Sequence, residues 1–172
     1  SSSHYSLNKI ARAAGLQEND IEVVDMIPPD AKAAFRAGHI DGWAVWPPWV
    51  EQEIVDGTGR IIPGSDAKVH SIMAMRGGFA DKNPDLARKI VGVLERSRAW
   101  IRENPAEARP LMAKELSLDP RVVDLAWPKH DWTSQLTDEV SADIQAKADF
   151  LLQRQLIRNP IDVKKDVIRP IK

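Results

Sequence analysis

The sequence predicts an α/β fold: helices packed on a largely parallel sheet, continued by a helical segment that is short of strands. Over the first 66 residues, helix-period stretches alternate with short β-branched runs, the pattern of strand–helix units. From Asn83 onward the spacing is almost entirely helical, and one strand-like run at residues 69–75 accompanies it. Those amphipathic helices need a surface to pack on. The expected organisation is therefore an α/β lobe at 1–66 and a segment at 67–172 whose packing partner comes from residues missing here or from another molecule.

The opening run Ser1, Ser2, Ser3, His4 and Tyr5 leads into Leu7, Ile10, Ala11 and Ala14 at helical spacing, with Gly15 where a left-handed cap belongs. A helix start leaves backbone N–H groups without internal partners and carries partial positive charge. Hydroxyls at that end suit an oxygen anion such as a sulfonate, phosphate or nitrate. Two plainer readings stand beside this one: Ser1 as an ordinary N-cap, and a serine run before a histidine as the scar of an expression tag. The chain begins without methionine, so position 1 reads as a cut.

Residues 21–26 form a β-branched run closed by Pro28 and Pro29, and a short helix at 30–37 ends at Gly38. Residues 40–46 read as a second strand, Pro47 and Pro48 open a helix to about Val55, and 60–62 read as a third strand before Pro63 and Gly64. After the strand at 69–75, Asn83 and Pro84 start a long helix with Leu86, Ile90, Leu94 and Ile101 at helical spacing. Asn104, Pro105 and Glu107 start another. A short helical piece spans 120–126, Thr137 begins a helix carrying Val140, Ile144, Ala148, Leu151 and Leu152, and the tail at 161–168 is helical.

Bulk properties exclude several classes. With 24 basic and 25 acidic side chains the net charge is -1, which offers no nucleic-acid footprint and no polybasic membrane patch. No run reaches the ~18 apolar residues of a membrane helix, and no signal-peptide pattern is present. Cysteine is absent, so no disulfide, thiol nucleophile or thiolate metal site arises within these residues. His4, His39, His70 and His130 lie too far apart for a local ligand pair, and neither a metal nor a cofactor is expected.

Ser1 to Leu7, then Pro28-Pro29-Asp30-Ala31 to Phe35, Gly38, and the run Ile40-Asp41-Gly42-Trp43-Ala44-Val45-Trp46-Pro47-Pro48 resemble the solute-binding proteins of ABC importers for sulfonates, taurine and nitrate. Phe79-Ala80-Asp81-Lys82-Asn83-Pro84 and Leu136-Thr137-Asp138-Glu139-Val140 extend the resemblance over essentially the whole chain. It implies a two-lobed, type II periplasmic binding protein-like fold, of which this chain is the C-terminal part. Residues 1–66 would be most of the second lobe. Residues 69–75 would be the returning hinge strand, and the later helices would pack on a first lobe whose N-terminal part is absent. The implied location is the periplasm, or an extracellular membrane anchor, with a membrane permease as partner.

On that template Ser1, Ser2 and Ser3 fall where relatives hold the sulfonate oxygens, and His4 follows either as a ligand contact or as a structural histidine that fixes the turn. Trp46 stands at the C-terminal end of its strand, the binding edge of open α/β sheets, with plain core packing as the alternative. Alternation puts Trp43 and Trp46 on opposite faces, so at most one faces the cleft. Relatives often carry an acid where Pro47 stands, and taurine-type relatives carry one near Ser71. Here the hinge offers Ser71 beside His70 and no carboxylate, which favours a sulfonate or related small oxyanion without an amine.

The leading function is thus non-catalytic capture of a small organosulfonate. The alternative is an enzyme on the same fold acting on a sulfur-containing or pyrimidine-type small molecule. Asp41, Asp131 and Glu139 are isolated acids, and no nucleophile, base and orienter fall at suitable spacing. A further possibility is dimerisation of the isolated piece through uncovered apolar faces.

Overall fold

A computed structural model of the 172-residue chain describes residues 2–65, 67–133 and 135–168. It contains eight α-helices among those residues: α1 Ser2–Ala13, α2 Pro28–Arg36, α3 Trp49–Val55, α4 Gly77–Lys82, α5 Pro84–Glu103, α6 Pro105–Glu115, α7 Pro120–Ala126 and α8 Asp138–Gln153. Single 3₁₀ turns lie at Glu18–Asp20 and Trp127–Lys129, and one π-helical turn lies at Val163–Val167. The helical tail expected at 161–168 is thus a single wide turn.

The four expected strands are not strands. Residues 21–26, 40–46, 60–62 and 69–75 carry neither helix nor ladder among the described residues. Their β-branched composition disfavours a helix, but a strand also needs a neighbour about 4.8 Å away, and none is provided by the described chain. Val24, Ile62 and Met73 accordingly stay exposed. The helix α4 has no counterpart among the expected elements; it begins at Gly77 and Gly78, residues of low helix propensity.

Helix ends follow local chemistry. Pro28, Pro84 and Pro120 occupy first turns, where the missing N–H costs nothing. The Asp119 carboxylate accepts from the Arg121 N–H at 2.8 Å to cap α7, and the Thr137 hydroxyl accepts from the Val140 N–H at 3.2 Å to cap α8. Gly38 ends α2 with φ +73°. Its N–H donates to the Phe35 carbonyl, and the His39 N–H reaches back to Ala34 at 2.9 Å, the Schellman pairing that a left-handed residue permits.

The chain forms two compact units. The first joins Ser1–Val69 to Ala106–Asp131, and the second joins His70–Pro105 to Trp132–Lys172. In the first, α3 packs on α7, and Ala31, Ala108, Ala113, Val122, Val123 and Ala126 are buried together with Glu51 and Glu53. In the second, α8 packs on the turn at 163–167 and α4 packs on α5, with Ala87, Ser141, Ala148, Phe150 and Val163 buried. Both cores consist mainly of small side chains. Two separate compact units of these sizes would expose on the order of 10,000 Å², whereas the chain exposes 12515 Å². Larger apolar groups, Leu86, Val93 and Trp100 of α5 among them, therefore remain outside the cores.

Gly38→Ala should destabilise the first unit by about 1 kcal/mol in urea unfolding, since a Cβ there meets nothing within 4 Å and the cost is purely the left-handed backbone. Gly42→Ala, equally open but without a positive φ, should leave the midpoint nearly unchanged.

Candidate functional site

The first turn of α1 contains Ser2, Ser3 and His4, all half-buried, and no acid. The longer helices α2, α5, α6 and α8 place Asp30, Asp85, Glu107 and Asp138 with Glu139 in their first turns, where a carboxylate complements the dipole. The first turn of α1 carries no such acid of its own. Its C-terminal end closes as the spacing requires, with Gly15 at φ +79° and the Leu16 N–H on the Ala11 carbonyl at 2.9 Å. Ser1 lies outside the described residues.

Further along the same unit, the tryptophans divide their roles. Trp43 packs between Phe35 and Trp49, with ring centroids 6.5 Å and 6.1 Å away, and the Lys32 ammonium sits 5.9 Å from the Trp49 ring. Trp46, just before the cis Pro47–Pro48 peptide, keeps 47% of its surface exposed. The helix α3 that carries Trp49 also carries two buried carboxylates. Glu53 accepts from Arg36 Nε at 2.8 Å, from a second Arg36 nitrogen at 3.0 Å, and from the Thr58 hydroxyl at 2.6 Å, and Arg36 also pairs with Asp56. Glu51, with no exposed surface, accepts from Lys129 Nζ at 2.6 Å through one oxygen.

Burial alone would raise the Glu53 pKa. Hydrogen bonds from Arg36 and Thr58, with the charges of Arg36 and Lys32, outweigh it and hold the carboxyl below its ordinary range.

In the second unit, Ser71 is exposed and follows a half-buried His70 that is tied to α8. His70 Nδ1 and Asp143 Oδ2 are 2.7 Å apart. Lys147 Nζ donates to the same oxygen at 2.7 Å and to the His70 carbonyl at 3.4 Å. Asp143 follows the same logic as Glu53: burial raises its pKa, but Lys147 and His70 together lower it below the ordinary value.

Ser2, Ser3, His4 and Trp46 thus belong to the first unit and Ser71 to the second. Sequence reasoning did not single out Glu51, Glu53, Arg36, Lys129, Asp143 or Lys147. The spacing of Asp143 and Lys147, one turn apart, carries a readable signal of an ion pair. The partners 78 residues apart in Glu51 and Lys129 carry none. Among the described residues no three histidine or acid side chains gather to hold a metal, and no helix is long and apolar enough to cross a membrane.

Residues 1–117 match the NMT1-like family. A candidate aliphatic sulfonates-binding protein of Escherichia coli (strain K12) is 28% identical over 174 residues, covering 99% of this chain and 54% of its own length. Among solved structures, the periplasmic aliphatic sulphonate binding protein SsuA from Escherichia coli superposes with a TM-score of 0.83 at 28% identity, over 99% of this chain and 56% of that one. The alkanesulfonate-binding protein SsuA from Xanthomonas axonopodis pv. citri, bound to MOPS, has the same fold, with a TM-score of 0.76 at 23% identity over 94% of this chain and 57% of that one. The chain spans about half the length of the curated relatives it matches.

The lowered carboxyls predict acid sensitivity of a defined sign. A carboxyl whose folded pKa lies below its unfolded value contributes stability above about pH 4, and that stability is lost as pH falls through the folded value. Urea unfolding from pH 6 down to about pH 3 should therefore show falling stability in the wild type and a shallower fall in Glu53→Gln. An identical pH slope in both proteins would assign the acid sensitivity elsewhere.

Proposed function

Because the chain belongs to the NMT1-like family, we propose that it is the binding component of an ABC importer, of type II periplasmic binding protein architecture, and that it takes up a small organosulfonate without covalent chemistry. The observation that carries this reading is the fold likeness to the Escherichia coli sulphonate binder, which runs through nearly the whole chain and is accompanied by recognisable identity. Its relatives by sequence and by structure are described as binding proteins. The same kinship supports a periplasmic or membrane-anchored extracellular location and a membrane permease as partner.

A sulfonate presents three acceptor oxygens that share one negative charge. It can be held by hydroxyl and N–H donors without a full counter-charge. In the first unit, the acid-free first turn of α1 with Ser2, Ser3 and His4 is our candidate source of such donors; in the second unit, taken by itself, it is the Ser71 hydroxyl. The exposed indole of Trp46 offers an apolar wall for the alkyl chain. The ligand we favour lacks an amine. Asp143 is the carboxylate beside the hinge segment, and Lys147 and His70 already occupy it, so it makes a poor partner for a substrate ammonium.

In thermal unfolding, ethanesulfonate should stabilise the full-length protein without turnover, and taurine should do so less. Ser2→Ala combined with Ser3→Ala should weaken ethanesulfonate binding by about 1 to 3 kcal/mol. Unchanged affinity would remove these serines from the site, equal stabilisation by taurine would remove the argument against an amine, and product formation would replace binding with catalysis.

A further inference from the structure

The peptide between His70 and Ser71 is held from one side. Its carbonyl oxygen faces Lys147 Nζ at 3.4 Å, while the His70 ring is fixed 2.7 Å from Asp143 Oδ2 on the same helix. The Pro47–Pro48 bond is the cis peptide of the described chain, so the His70–Ser71 peptide is trans. In a trans peptide the C=O and the following N–H point in opposite directions. With the His70 carbonyl turned toward α8, the Ser71 N–H turns away from it, on a residue that is exposed.

Charge matters as much as direction. Asp143 lies close enough to this segment to repel an anion, and Lys147 places an ammonium 2.7 Å from its carboxylate. The pair is only partly exposed, with 16% and 18% of the side-chain surfaces open, so its mutual compensation is less screened than that of a surface pair.

We infer that Lys147 and Asp143 are positioning residues for the oxyanion: they lock the His70–Ser71 peptide so that the Ser71 N–H and hydroxyl are presented as donors, and Lys147 compensates the Asp143 carboxylate, which would otherwise oppose the ligand. This rests on the sulfonate-binding reading above. Lys147 touches no ligand in this arrangement; it acts through the peptide and through Asp143. An arginine at 147 reaches the same two acceptors with a charged group, whereas a methionine fills the space and supplies neither.

The test uses the full-length protein with ethanesulfonate as the probe. Lys147→Met should weaken binding about tenfold by titration calorimetry and lower the ligand-free melting temperature, since Asp143 loses a partner, and Lys147→Arg should restore most of the affinity and of the melting temperature. Asp143→Asn, which keeps the shape and removes the charge, should weaken binding less than Lys147→Met. In ligand-free protein the Ser71 amide resonance should move in Lys147→Met and return in Lys147→Arg. Wild-type affinity in Lys147→Met overturns the inference, as does a Lys147→Arg protein that regains the melting temperature without regaining affinity. A wild type that takes up no ethanesulfonate defeats the sulfonate-binding reading itself; the Ser71 amide resonance then decides the peptide-locking claim, upheld if it moves and overturned if it does not.

Discussion

The first unit is built around two carboxylates on one short helix that face opposite ways. Residues two apart on an α-helix stand about 200° around its axis, and Glu51 and Glu53 of α3 use that offset. Glu53 takes the Arg36 guanidinium from α2, and Glu51 takes Lys129 from the turn beyond α7. A buried carboxylate without a partner costs several kcal/mol, so each acid dictates what must lie against it. The surrounding core of alanines and valines could slide without great loss. These charges cannot, and they fix which faces meet more than they add net stability.

The second unit repeats the device with a different mixture. On α8, Asp143 and Gln145 are again two apart. Asp143 takes His70, and the Gln145 amide donates to the Ile161 carbonyl and accepts from the Val163 N–H, at 2.8 Å and 2.9 Å. One helix thereby anchors both the segment that opens the unit and the turn near the end of the described chain. In each unit a polar side chain, rather than a large apolar one, decides where an irregular segment lies. That suits a chain whose β-branched stretches find no ladder among the described residues.

What could be read from the sequence was local. Gly15 and Gly38 announced their helix ends because a left-handed residue is a property of one position. Pro84, Pro120 and Thr137 announced helix starts for the same reason. The family resemblance carried by the opening serines, the Trp43–Pro48 run and the Asn83-Pro84 start was legible too, since it depends on order and spacing. Strand pairing was not legible. Residues 21–26 and 69–75 have the composition of strands, but a ladder is a relation between distant segments, and composition names no partner. The ion pairs failed for the same reason: Lys32 and Arg36 stand one turn apart in the sequence, yet nothing there points them at Gln52 and Glu53. Of the two tryptophans, Trp43 packs in the aromatic cluster with Phe35 and Trp49, while the candidate Trp46 stays half-exposed.

A net charge of -1 gives the chain no long-range pull on an anion, so capture of a sulfonate must depend on donors prepared locally. The proposed donors are prepared in two different ways. At α1 the preparation is an omission: the first turn carries hydroxyls where the other long helices carry acids of their own. At Ser71 it is a cancellation, because an acid is present in Asp143 and a lysine one turn away neutralises it while turning the peptide outward. Neither device supplies a free positive charge. That fits a ligand bearing one delocalised negative charge better than one bearing two, since a dianion would demand a counter-ion that these donors do not contain.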